Sequence, residues 1–156
     1  MRYTSVVLAV SDVDRAKRFY QDLFGLELDQ DYGINVSFTC GLALQQEFHW
    51  LVGIPEGQVG RRTHNMELAF ETENLDGFLE KLRGRPGVEY LGDVTEHGWG
   101  QRVVRFHDPD GHLIEVGEDM GAVVRRFLDS GLTPEETAAR MDVSLEGLYK
   151  LLGSQG

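Results

Sequence analysis

The strongest constraint on the fold is an internal repeat. Aligning Asp12-Val13-Asp14 with Asn74-Leu75-Asp76, an offset of 62, sets Ser5 on Glu67, Leu8 on Phe70, Ala16 on Phe78 and Tyr20 on Leu82. Farther along, Gly41-Leu42-Ala43-Leu44-Gln45 falls on Gly111-His112-Leu113-Ile114-Glu115 at an offset of 70. Each half reads β-α-β-β-β. A repeated unit that cannot bury its apolar face alone needs its neighbour. That order of elements predicts an α+β protein: two βαβββ modules forming a cupped mixed sheet, followed by a small C-terminal helical extension.

Local signals support the order. Thr4 to Val10 is β-rich, with Val6, Leu8 and Val10 on one face and Val7 and Ala9 on the other, so both faces are expected to be covered. Ser11 is a candidate N-cap with Asp14 at N3, then Val13, Ala16, Tyr20 and Leu23 recur at helical spacing until Gly25. Short strands are predicted around 26–28, 34–39 and 42–47. In the second half, Asn65 to Glu71 reads as a strand, Thr72 or Asn74 as a cap, and Leu75, Phe78 and Leu82 as a helical stripe. Strands are predicted at 88–91, 101–107 and 112–116, the last two joined by Asp108-Pro109-Asp110-Gly111, where Pro presets φ and Gly accepts positive φ.

With this order in place, two stretches carry a resemblance. Arg18-Phe19-Tyr20-Gln21-Asp22-Leu23-Phe24-Gly25-Leu26 and Phe106-His107-Asp108-Pro109-Asp110-Gly111-His112-Leu113-Ile114-Glu115 are similar to segments of the glyoxalase/bleomycin-resistance/extradiol-dioxygenase (vicinal oxygen chelate) superfamily. The resemblance covers about residues 1–118, with modules of about 1–50 and 62–118, and leaves 119–156 as the helical extension. It implies a small-molecule site in the sheet-lined cup. It does not name a reaction, because fold does not give function.

In metal-dependent members, each module supplies a ligand from its first strand and one from its last. Carried over, those positions are Ser5 and Gln45 in the first module, Glu67 and Glu115 in the second. The implied metal set is Gln45, Glu67 and Glu115, for Mg²⁺, Mn²⁺, Ni²⁺ or Zn²⁺ or for no metal at all. Oxygen ligands favour the harder ions. The histidines frequent in the family are absent from these positions, and serine is a poor ligand. Glu67 and Glu115 are also the candidate catalytic carboxylates, since two close carboxyls split their pKa values and one can serve as base. Ser5, Gln45, Trp50, Trp99 and Arg105 are the candidate ligand contacts: the tryptophans as walls, the arginine as partner for a carboxylate.

Two functions stay open: a divalent-metal-dependent lyase or isomerase acting on an oxygen-rich substrate, and a non-catalytic drug-binding protein of the bleomycin-resistance type. The five histidines are expected to be incidental. His107 and His112 flank the turn as exposed strand ends, His64 faces away from Glu67, and His49 and His97 fall in loops. Cys40 reads as a small buried hydrophobe, and one cysteine excludes an internal disulfide.

Charge sets the remaining limits. The chain carries 15 Lys and Arg against 26 Asp and Glu, a net −11, which argues against a nucleic-acid binder. The extension looks like half of a helix-turn-helix across Ala138 to Ser144, with Thr133-Pro134-Glu135-Glu136 as a helix start. Residues 118–156 are nonetheless net −3, so DNA is not its expected partner. A docking or dimer-stabilising role is expected. No apolar run reaches membrane-span length and the start has no signal-peptide pattern, so the expected setting is cytoplasmic, as a homodimer by the resemblance.

Overall fold

The computed structural model describes residues 1–153. The chain divides into two compact units. The first holds Met1–Met66 together with the turn His107–Leu113, and the second holds Glu67–Phe106 and the chain from Ile114 onward. Both carry a mixed or antiparallel sheet with helices, the α+β architecture read from the sequence.

In the first unit, β1 (Val6–Ala9) pairs in parallel with β4 (Leu42–Gln45), and β3 (Asn35–Phe38) and β2 (Leu28–Asp31) follow antiparallel, in the order β1-β4-β3-β2. Helix α1 (Val13–Phe24) crosses between β1 and β2 and buries Val13, Ala16, Phe19, Tyr20 and Leu23, an i, i+3, i+7 stripe. Leu8, Val36, Phe38 and Leu44 are among the sheet's buried residues, each 2% exposed or less. A side chain of this size contributes about 1.5–3 kcal/mol when fully buried. The helix closes at Gly25, whose φ of 67° puts it in the left-handed region that glycine occupies without strain. Its start differs from the sequence expectation: Asp12, not Ser11, caps the helix by accepting from the Arg15 N–H. Ser11 is diverted because its own N–H and hydroxyl both donate to Asp110.

The second unit has the order β5-β9-β8-β6, with β7 paired to β8. Its strands are β5 (Glu67–Thr72), β6 (Glu89–Tyr90), β7 (Thr95–Glu96), β8 (Arg102–His107) and β9 (Leu113–Glu118). The two-residue β7 is absent from the sequence reading; so short a strand has no periodicity to detect. The helix over this sheet (Leu75–Arg83) is capped by Asn74 and buries Leu75, Leu79 and Leu82. A further short helix, Phe48–Val52, and a single 3-10 turn at Glu56–Gln58 belong to the first unit and also went unread. In chain order Phe48–Val52 is α2 and Leu75–Arg83 is α3.

Three helices complete the second unit: α4 (Met120–Asp129), α5 (Pro134–Arg140) and α6 (Leu145–Gly153). The expected cap at Thr133 forms in full, as a reciprocal box with Glu136. The helices share a small core of Val123, Val124, Ala138, Met141 and Leu148. They dock through α4, where Arg126 donates to Glu118 at 3.0 Å and to the Gly100 carbonyl. Gly100 has φ +91°, and a Cβ there would clash with the Phe127 ring edge. Arg140 adds a 3.1 Å bond to Glu96 and lies over the same ring.

Candidate functional site

The second unit brings Glu67, Glu115 and Arg105 together. On β5 burial alternates, with Leu68 and Phe70 half-buried and Glu67 and Ala69 exposed. On β9, Glu115 stands between Ile114 and Val116, which are almost wholly buried; on β8, Arg105 stands between Val104 and Phe106 in the same way. Because β5, β9 and β8 are neighbours in the sheet, their outward residues form one polar row. Arg105 is its hub: its guanidinium is ion-paired with Glu115 and its Nε lies 3.6 Å from a Glu67 carboxylate oxygen. Two carboxylates thus share one cation, and the trio is net negative.

The row extends through a residue the sequence reading set aside. His97 Nε2 lies 3.4 Å from an Arg105 amino group, and its ring stacks on Trp99 at 4.4 Å between centroids and 16° between planes. Trp99 is 41% exposed and anchors its indole N–H on Gln101 at 3.2 Å. An indole held by its N–H and by a ring beneath it offers its other face as a flat apolar wall. His97 has no local pattern around it; only its place beside β7 makes it part of the site.

The other expected contacts lie in the first unit. Gln45 is 2% exposed, and its amide is engaged on both ends: the oxygen accepts from Asn35 at 2.8 Å and the nitrogen donates to the Gln46 carbonyl. Ser5 precedes β1 by one residue and is half-buried. Trp50 sits on α2, 68% exposed. Among the described residues, no three His, Cys, Asp or Glu side chains gather closely enough to hold a metal ion.

The most recognisable motif does something else. The turn Asp108–Gly111 belongs to the first unit, where Tyr20 donates its hydroxyl to Asp108 Oδ2 at 2.8 Å. His112 Nδ1 donates to the same oxygen at 2.8 Å, while the Asp110 and His112 amides donate to Oδ1. Asp110 Oδ1 takes the Ser11 amide and hydroxyl, and Arg15 at 3.2 Å. Burial works to raise the Asp108 pKa, but His112 and Tyr20 outweigh it and hold the carboxyl below its usual range. Burial and the Asp108 charge push the Tyr20 phenol well up. The two signature stretches of the sequence are therefore two halves of one latch.

Three expectations are corrected here. His107 is not an exposed strand end but 7% exposed, and its Nε2 lies 2.9 Å from that of His64. His64, expected to face away from Glu67 by strand alternation, precedes β5 (Glu67–Thr72), so that alternation does not apply to it. Cys40 is exposed, next to Gly41 at the turn between β3 and β4, where a sequence pattern cannot distinguish the tight turn from strand interior.

Comparison with known proteins follows the same lines. The family model described as a glyoxalase-like domain matches residues 3–121. A crystal structure of a protein of unknown function from Agrobacterium tumefaciens str. C58 is 38% identical, covering 76% of this chain and 94% of that one, with a TM-score of 0.65. A lactoylglutathione lyase from Agrobacterium tumefaciens shares the fold at 24% identity over 76% and 94% of the two chains, TM-score 0.57. The fosfomycin resistance protein FosX from Listeria monocytogenes does so at 23% identity over 76% and 93%, TM-score 0.55.

Proposed function

Because the chain belongs to the glyoxalase-like domain family, we propose that it binds a small planar aromatic cation on the outward face of β5, β9 and β8, as a non-catalytic binder of the bleomycin-resistance type. The observation that carries this reading is the shared guanidinium. Glu67 and Glu115 have one cation, Arg105, between them, so the face keeps a net negative charge beside the exposed Trp99 wall. A cationic ring stacked on an indole gains about 0.5–2 kcal/mol. Glu67, the more exposed and more loosely held carboxylate, supplies the ion pair.

The alternative is a metal-dependent lyase or isomerase with Gln45, Glu67 and Glu115 as ligands. The donor set fits a divalent ion poorly. Both carboxylates already hold a guanidinium that would repel the ion, and the Gln45 amide is satisfied at both ends. Pairing of two copies into a homodimer is also part of our reading, supported by the exposed Trp50, Leu51 and Val52 on α2.

Fluorescence titration with a panel of planar aromatic cations tests the proposal. Binding is expected for the wild type, weakened about tenfold in Glu67→Gln, the ~1.4 kcal/mol scale of one lost charge-assisted contact. No binding by any panel member, or equal affinity in the variant, overturns it.

A further inference from the structure

A cavity lies in the first unit. It measures about 270 Å³, and its lining includes Ser11, Glu47, His49, Asp110, Val59 and Arg61. Groups of both charge signs line it, so the walls select no one ligand class. What is distinctive is how the wall at 59–65 is held. Arg62 and His64 both sit at positive φ, 53° and 50°, a conformation that non-glycine residues adopt at a cost and keep only when held.

Two contacts tie it to the segment 107–110. Arg61 reaches the Asp110 carbonyl at 3.3 Å and its carboxylate at 3.6 Å, but the arginine side chain is 61% exposed and the contacts are long, so this anchor is weak. The closer anchor is the His64–His107 pair. Its ring centroids are 5.2 Å apart and its Nε2 atoms 2.9 Å. Taking one ring radius from each end of the centroid distance leaves little more than the nitrogen gap, so the rings meet head to head. An ion on that line would need about 4 Å, two bonds of ~2.0–2.1 Å. The contact is therefore an N–H···N hydrogen bond, which requires a bare nitrogen on one ring.

We infer that residues 59–65 are a pH-released strap over this cavity, kept shut while His64 and His107 share one hydrogen bond and freed when both rings are protonated. Double protonation puts two N–H groups face to face. Around His107, Arg62 adds positive charge, and Asp108, the neighbouring anion, is already committed to Tyr20 and His112. His107 Nδ1 is buried with no hydrogen-bond partner among the described residues, so no acceptor there rewards a proton. Burial, then Arg62 and His64, hold the His107 pKa below its ordinary value of 6.5. The folded state thus takes up its proton later than the unfolded chain. The contribution of this contact is full above pH 6.5 and declines as the pH falls below it.

Backbone ¹⁵N relaxation and imidazole ¹⁵N shifts on the full chain, from pH 7.5 to 4.5, test the strap. Order parameters for 60–65 should drop from about 0.85 to below about 0.6 as the pair protonates. In His64→Gln, whose amide donates and accepts but does not titrate, they should stay flat; position 64 is exposed, so the fold survives the change. His107→Gln should behave alike. A strap equally ordered at both ends of the range, or one that loosens equally in both glutamine variants, overturns the proposal.

Discussion

Two groups of carboxylates in this chain are treated in opposite ways. In the first unit, Asp108 and Asp110 are buried, and every hydrogen bond they accept comes from a side chain or amide that fixes the turn. In the second, Glu67 and Glu115 remain partly exposed and divide one guanidinium. The first arrangement spends its charge on rigidity: donors meet both Asp108 oxygens and Asp110 Oδ1, while Asp110 Oδ2 is buried without a hydrogen-bond partner among the described residues. The second leaves charge unspent at a surface a ligand can reach. Residues of one chemical type thus become structure or site according to how many donors converge on them.

The largest effect should come from breaking the buried group. Asp108→Ala removes the acceptor of Tyr20, His112 and two amides, and is expected to destabilise the chain by about 3–5 kcal/mol. Urea unfolding reads the change; a loss under 1 kcal/mol would mean the latch is not structural.

An intermediate effect is expected where the helical extension docks. Burial works to raise the Glu118 pKa, but bonds from Arg102 and Arg126 prevail and lower it. Its contribution to stability is therefore present above about pH 4.5, the ordinary glutamate value, and is lost as the pH falls through the depressed folded value. Glu118→Gln should unfold earlier than the wild type at pH 7, by about 1–3 kcal/mol, and the gap should narrow in acid. A gap independent of pH would assign the loss to packing instead.

The smallest effect on stability belongs to the polar row. Arg105→Met keeps the aliphatic stem and should shift stability by no more than about 1 kcal/mol. A large loss would move Arg105 into the same class as the latch and erase the contrast.

How much of this was legible beforehand follows from the same contrast. The βαβββ order, the α1 stripe and the Thr133 cap rest on local periodicity and capping, so a sequence shows them. Glu67 and Glu115 are named by the resemblance, which carries the ligand positions of metal-dependent members onto the first and last strands of the second module. Arg105's part was half visible: its strand was clear, but a partner two strands away is a matter of register. His97, the His64–His107 contact and the burial of His107 depend on loops whose course no spacing announces. The Asp-Pro-Asp-Gly motif was read for its turn, and its carboxylates' partners, Tyr20 and Ser11, lie 88 and 99 residues away. The four cations of the extension, Arg125, Arg126, Arg140 and Lys150, each face a carboxylate, which agrees with the acidic balance that argued against DNA.

The central claim is that the row built on Arg105 takes its ligand without a metal between the two glutamates. Calorimetric titration of the tightest-binding aromatic cation, in EDTA and then in excess Mn²⁺, tests it most directly. The account predicts the same Kd in EDTA and equal or weaker binding in Mn²⁺. Binding that vanishes in EDTA and returns with Mn²⁺ would contradict it.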